Sequence, residues 1–436
     1  MSGDEPRIVI IGGVAGGATA AARARRMNEH AEIIMLERGK YVSFANCGLP
    51  YYIGGDIQNR DDLLVATPQK FHDWFKIDVR TGHEAVEIKR DHNQLVVREV
   101  ETDQSYELDY DRLILSPGAR PIVPPFDGIH SANVFTLRNL GDTDRVKNFL
   151  NNENIQHVTV VGAGFIGLEM VEMFRKQNLE VDLVELTSQV MPPMDSEMAH
   201  LIEKELVEHE VNLYLDNGLD SLQTEADRVS GVVLEDGTQR ATDLVMICIG
   251  VKPNTELAEQ AGLDLGSSGG IRVNTFMQTS DPEIYAVGDA VEYKHQVTDL
   301  FNRFPLAGPA NRSGRIAGEH AATGQAPHMQ PVQGTAIVKV FNQAAALTGL
   351  SEKEAEELCE PCESVWIPGK QHAGYYPGAR RLTVKLNYSP EDGQVLGAQV
   401  VGEAGVDKRI DVIATAIHFD ATVEDLIGLD LAYAPP

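Results

Sequence analysis

The residue of this chain best suited to carry out chemistry is one cysteine. Cys47 lies in the segment Ser43-Phe44-Ala45-Asn46-Cys47-Gly48-Leu49-Pro50-Tyr51, a polar and glycine-flanked setting unlike that of a core cysteine. A thiol near a helix N-terminus is expected to be held as the nucleophilic thiolate. The loop contains no second cysteine, so an oxidised Cys47 cannot close an internal bridge there. It must form a mixed disulfide with a substrate or, with a peroxide, a sulfenic acid. Cys248, in the apolar run Val245 to Gly250, reads instead as a small buried hydrophobe. Cys359-Glu360-Pro361-Cys362 has the spacing of a redox motif but no βαβ context. With no second ligand pair for zinc it reads as a surface loop, and no metal is expected.

The elements that must aim Cys47 come just before it. Arg7 to Ile11 is an apolar strand that breaks into Gly12-Gly13-Val14-Ala15-Gly16-Gly17 and then enters a helix over Ala18 to Met27. Strand, glycine turn and helix N-terminus together place backbone N–H groups around a pyrophosphate. The next strand, Glu32 to Leu36, ends in Glu37, whose carboxylate is expected to accept both hydroxyls of an adenosine ribose. The pattern returns further on: strand His157 to Val161, Gly162-Ala163-Gly164-Phe165-Ile166-Gly167, a helix from Leu168 to Lys176, strand Glu180 to Val184 and then Glu185. An acid at Glu185, followed by Leu186 and Thr187, repels a 2′-phosphate and favours NADH over NADPH. Two cradles in one chain predict two dinucleotides, and the simplest redox pairing is a tightly held FAD with an exchangeable nicotinamide.

A third segment, Thr279 to Ala290, reads as a turn, a short strand and the pair Gly288-Asp289 before a helix, with Asp289 placed to bond a flavin ribityl chain. Two similar strand ends, Leu113 to Gly118 and Val245 to Gly250, look like crossings between a first domain and a second one inserted into it. The expected fold is therefore α/β, with two Rossmann-like dinucleotide-binding domains: residues 1–117 and 247–326 for FAD, residues 118–246 for NADH. The residues expected at FAD are Gly12, Val14, Ala15, Gly16, Glu37, Arg38, Ser116, Pro117, Gly118, Asp289, Pro305, Leu306 and Ala307. Those expected at NADH are Gly162, Gly164, Phe165, Ile166, Gly167, Glu185 and Gly250.

A length of 436 residues predicts two to four domains. With 37 Lys and Arg against 65 Asp and Glu, the net charge of −28 argues against nucleic acid and anionic membranes as partners. An anionic substrate would need a local basic patch. No apolar stretch reaches the roughly 18–20 residues of a membrane span. Four cysteines in so long a chain fit a reducing, cytoplasmic compartment.

With these features in place the chain resembles the single-cysteine branch of the pyridine nucleotide-disulfide oxidoreductases, and within it the coenzyme A (CoA) disulfide reductases and NADH-dependent CoA-persulfide or polysulfide reductases. The resemblance spans the whole chain and is carried by Ser43 to Tyr51, Pro305 to Arg312, Tyr375-Tyr376-Pro377-Gly378, Asp407-Lys408-Arg409-Ile410-Asp411 and Ala432-Tyr433-Ala434-Pro435-Pro436. It implies that residues 327–436 form an α+β dimerisation domain and that Tyr375 and Tyr433 of one subunit reach Cys47 of the other as general acids or orienting groups. It also implies that Ser43 and Asn46 flank the reacting sulfurs, that Arg23 and Arg26 meet the CoA phosphates, and that Glu169 lies near the nicotinamide. Many relatives continue beyond the position of Pro436, some into a rhodanese domain, so the end of this chain looks early. Two rival activities fit the same residues: an NADH oxidase or peroxidase cycling Cys47 through a sulfenic acid, and a non-catalytic NADH-binding redox sensor.

Overall fold

The computed structural model describes residues 5–358 and 360–435. Cys359 and Pro436, both singled out above, lie outside them.

Two parallel five-stranded sheets dominate. The first runs in the order Ile284–Ala286, Arg112–Leu115, Arg7–Ile11, Glu32–Glu37, Asp78–Thr81. The second runs Val211–Tyr214, Glu180–Val184, His157–Val161, Leu244–Ile247, Val134–Phe135. Helices cover the faces of both, so their central strands are apolar on both sides: Ile8, Val9 and Ile10 in one and Val158 and Val160 in the other are buried. The first sheet takes its outermost strand from residues that follow the whole second sheet, so the first unit is discontinuous. The two chain passages between the units, Ala119–Pro121 and Val251–Pro253, pair with each other as a short antiparallel ribbon.

Each sheet has its glycine loop at the C-terminal end of its central strand. The helices that follow begin at Ala15 and Phe165, three residues earlier than the sequence suggests. The last glycines of each motif belong to the first helical turn, which brings the uncapped N–H groups to the strand end. The long helix Ala307–Thr323 lies alongside Ala15–Met27 in the same direction. Glycines make this approach possible: a Cβ at Gly314 would stand 2.4 Å from the Gly16 carbonyl oxygen, and one at Gly318 would stand 2.3 Å from that of Ala20.

The third unit is an antiparallel sheet in the order Ala336–Val340, Gln343–Gly349, Val395–Gly402, Arg381–Tyr388, Glu363–Lys370. Helix Val406–His418 packs Val406, Ile410, Ile413 and Ile417 against it. Its edge strand leaves Val365, Trp366 and Ile367 exposed, an apolar surface of the kind a second chain covers. Buried Lys385 ties this unit to the head of helix Ser196–Glu208 in the second by ion pairs to Asp195 (2.8 Å) and Glu197, and it pairs with Glu352 of its own unit at 2.6 Å. No helix among the described residues is long and apolar enough to cross a membrane.

Candidate active site

The two glycine loops are built alike. Gly12 and Gly162 both have positive φ, +96° and +103°, a conformation that costs a side chain of L configuration dearly. A Cβ at Gly12 would lie 2.0 Å from the Ser116 carbonyl oxygen, and one at Gly162 would lie 2.5 Å from that of Cys248. At the third glycine the Cβ would lie 1.9 Å from the carbonyl oxygen of the first, for Gly17 and for Gly167 alike. The terminal acids also match. Glu37 accepts from the N–H of Gly13 at 2.9 Å and of Gly39 at 2.7 Å. Glu185 accepts from the N–H of Ala163 at 2.7 Å, and from the N–H and hydroxyl of Thr187, both at 2.9 Å. Each acid is thus turned back toward its own loop, and its remaining lone pairs are what a ribose hydroxyl would use.

These residues fit dinucleotides on structural grounds. Neither Val14 nor Gly164 caps its helix with a side chain, whereas Asn139 and Thr422 cap theirs with complete capping boxes. Uncapped N–H groups at the head of a 12- or 13-residue helix are the donors an anion requires. The position of a Cβ on Gly164 faces open space, with no atom within 4 Å.

Cys47 is fastened to the first loop. Ser43, at φ +48°, donates its N–H to the Gly13 carbonyl at 2.8 Å. Ala45 donates to the Leu63 carbonyl at 2.8 Å, and the chain then forms a 3₁₀ turn, Asn46–Gly48, that leads into helix Leu49–Gly54. Cys47 is exposed on this turn. The buried amide oxygen of the adjacent Asn46 has no hydrogen-bond partner among the described residues, which marks a place where a ligand donor is wanted.

The expectation of a readily ionised thiol needs correction. Desolvation, and then the charge of Glu169, push the Cys47 thiol above its ordinary value; its own backbone N–H and Arg138 pull the other way and lose. A turn of three residues has little dipole to offer against a nearby acid. Glu169 comes from helix Phe165–Lys176, against which the Cys47 helix packs closely. A Cβ on Gly54 would meet Met173 Sδ at 2.2 Å, and one turn earlier the Tyr51 hydroxyl donates to Glu169 Oε1 at 3.0 Å.

The other expected residues fall as follows. Asp289 sits in a 3₁₀ turn, Gly288–Ala290, followed by the strand Glu292–Lys294 and not by a helix. It holds Arg138 at 2.9 Å. Arg138, beside both Asp289 and Cys47, belongs to no motif and was not foreseen. Gly118 (φ +66°) and Gly250 (φ +109°) turn the chain into the crossing ribbon, with Ser116 and Pro117 just before it. Pro305 and Leu306 lead into the helix that starts at Ala307, and Ile166 lies in the first turn of its own helix. Arg38 is exposed and reaches Glu84 at 3.4 Å.

Arg23 is already ion-paired to Glu319, at 2.5 and 2.9 Å, and Arg26 lies over the Phe75 ring, 5.2 Å from its centroid. Beside Arg23 a cavity of about 350 Å³ is lined by Arg312, Arg315, Glu319, His328 and Gln330. In so acidic a chain, three arginines round one cavity form the basic patch that an anionic substrate needs. Arg312 and Arg315 line this cavity and were not foreseen; their spacing along one helix was the available signal.

Tyr375 and Tyr433 meet, hydroxyl to hydroxyl, at 3.2 Å on the exposed face of the third unit. Arg409 holds the Tyr375 loop by donating to the Gln371 carbonyl. Cys248 lies just past its strand and is half-buried where the sequence reading has it buried in the strand; desolvation pushes its thiol up to about 12, as suits an inert residue. Cys362 lies, half-buried, in the connecting loop just before strand Glu363–Lys370, as the loop reading expects; burial and the acids Glu352 and Asp195 push its thiol up.

Fold and site together define a flavin enzyme with two dinucleotide seats. Residues 6–334 match the family described as pyridine nucleotide-disulphide oxidoreductase, and residues 335–436 match its dimerisation domain. The chain belongs to the pyridine nucleotide-disulphide oxidoreductases, enzymes that bind FAD and NAD(H). It is 35% identical over 431 residues to a coenzyme A disulfide reductase of Staphylococcus aureus, covering 99% of this chain and 96% of that one. Among solved structures it is similar to the reduced CoADR-RHD of Bacillus anthracis, with 47% identity, a TM-score of 0.96 and coverage of 100% and 78% of the two chains. It is also similar to an NAD-dependent persulfide reductase from A. fulgidus, with 39% identity, a TM-score of 0.96 and coverage of 99% and 80%.

Proposed function

We propose that the protein reduces CoA disulfide or CoA persulfide with NADH through Cys47 alone. The observation that carries this reading is one exposed thiol, fastened to the first dinucleotide loop, with an unpartnered buried amide oxygen beside it. The Cys47 thiolate attacks the sulfur bonded to CoA, a Cys47–S–S–CoA mixed disulfide forms as the substrate S–S bond breaks, and the other sulfur leaves as CoA thiolate from the disulfide or as hydrosulfide from the persulfide. FAD and NADH, when bound, supply the electron pair that returns the mixed disulfide to thiolate and free CoA. The pantetheine arm of CoA carries two amide N–H groups, either of which can serve Asn46 Oδ1, with Ser43 close by on the same loop. The CoA phosphates are assigned to Arg23 and Arg26 and to the arginine-lined cavity next to them.

NADH is preferred to NADPH because Glu185, bonded on three sides, would meet a 2′-phosphate with like charge. The functional unit is a homodimer in which Tyr375 and Tyr433 reach the partner's site and protonate the leaving thiolate. Four cysteines in a chain of 436 residues suit the cytoplasm. Replacing Cys47 by Ser tests the proposal. Flavin content and reduction of the flavin by NADH persist, while turnover with CoA disulfide and CoA persulfide drops by roughly 10³-fold or more. Turnover retained on both substrates overturns it.

A further inference from the structure

We propose that Tyr51 and Glu169 are positioning residues that set the charge of Cys47: a proton held by this pair favours the thiolate, and its loss disfavours it. The inference rests on Cys47 as the reacting thiol and concerns what governs its ionisation. The geometry is specific. Tyr51 stands one helical turn beyond Cys47, and its hydroxyl bridges to Glu169 at 3.0 Å, joining the sulfur-bearing turn to the helix that heads the second dinucleotide loop. The two helices are further clamped by Lys176 to Asp56 at 2.7 Å and by Gln177 to the Ile53 carbonyl at 3.3 Å, so the pair has little freedom to part.

Among the described residues Tyr51 is the one side chain that hydrogen-bonds to the Glu169 carboxylate. Glu172, one turn along the same helix, is repulsive but is itself satisfied by Lys339 at 2.6 Å, Lys176 at 3.0 Å and the Phe341 N–H at 2.8 Å. On the neighbouring helix, Lys147 is occupied by the Tyr52 carbonyl and ring, at 2.6 and 3.6 Å. Arg138, whose charge also acts on Cys47, is taken by Asp289. Among the described residues the Glu169 carboxylate makes no ion pair. Burial and Glu172 lift its pKa to about 7, against the Tyr51 hydrogen bond that lowers it. A neutral Glu169 removes the acid that most opposes ionisation of Cys47; by reciprocity, a thiolate at Cys47 strengthens the hold of Glu169 on its proton.

The thiolate can be read directly. The reduced, flavin-loaded enzyme is alkylated with iodoacetamide from pH 5.5 to 9.5, and the modified Cys47 peptide is quantified by mass spectrometry, which separates it from the other cysteines. The wild-type rate bends near pH 7, where ionising Glu169 begins to hold the thiol protonated. Glu169→Gln abolishes the bend and speeds alkylation at pH 8 by about threefold to tenfold, tenfold being one pKa unit. Tyr51→Phe withdraws the hydrogen bond that stabilises the carboxylate, moves the bend to higher pH and gives an intermediate rate at pH 8. A merely structural contact predicts no such order. Superimposable profiles for wild type and either correctly folded variant, or slower alkylation of Tyr51→Phe at pH 8, overturn the inference. That failure is distinct from failure of the proposed reaction, which the Cys47→Ser turnover reads independently.

Discussion

The two glycine loops share their backbone conformation, their returning acid and their uncapped helix, yet their surroundings differ. The first is roofed. Val14 fills its middle position, and Ser116, Val287 and Ala310 crowd Gly16, where a Cβ would find all three within 3.4 Å. Helix Ala307–Thr323 is pressed against its helix through Gly314 and Gly318. The second has Gly164 at the middle position, with nothing within 4 Å. One motif thus yields a seat enclosed on several sides, suited to a group that stays, and another left open, suited to a group that comes and goes. The difference lies in what the rest of the chain packs over each loop.

The same substitution in each loop should break the comparison most visibly. Gly12→Ala forces a methyl group into the Ser116 carbonyl at a positive φ; we expect a loss of at least about 4 kcal/mol and of most bound flavin, read by urea unfolding and by absorbance. Glu185→Ala leaves the Ala163 and Thr187 N–H groups without their acceptor. It should raise the KM for NADH by roughly 30-fold, about 2 kcal/mol, with flavin content unchanged. Glu169→Gln should change the pH dependence of stability. The carboxyl is lifted from 4.5 to about 7, so the native state binds the extra proton, and the stability this group gives at pH 4.5 is lost as pH rises through 7. The variant should gain about 2 kcal/mol relative to wild type between pH 5 and pH 8, measured by denaturant unfolding at each pH. Gly164→Ala, at the position that Val14 holds in the first loop, should keep the fold and raise the KM for NADH by no more than about tenfold, because its methyl enters ligand space and meets no protein atom. Destabilisation of the fold by Gly164→Ala would remove the distinction between the seats, since it would show protein atoms closing over the second loop.

Much of this was readable in the chain. The strands Arg7–Ile11, His157–Val161 and Glu180–Val184, both glycine loops and the apolar crossings are local patterns, in which composition and spacing act within a few residues. The ionisation of Cys47 was not legible: helix position is a neighbourhood property, whereas the opposing acid arrives from the other dinucleotide unit. Arg138, the Tyr51–Glu169 bond and the Lys385 cluster were hidden for the same reason, each joining segments whose proximity exists only after folding. The small-residue spacing of Gly314 and Gly318 against Gly16 and Ala20 was present in the sequence, but it gains meaning only once the two helices are known to be neighbours.

The ribbon formed by Ala119–Pro121 and Val251–Pro253 bears on how such a molecule could be assembled in the first place. Because the strands leading into and out of the inserted unit already touch, cutting both would leave the host with two ends close enough to be rejoined by a tight turn, and the guest with adjoining ends of its own. A gene encoding one nucleotide module could therefore accept a second at this point with little disturbance to either core, and the duplicated acid-to-loop hydrogen bonds at Glu37 and Glu185 are what two copies of one ancestral module would keep.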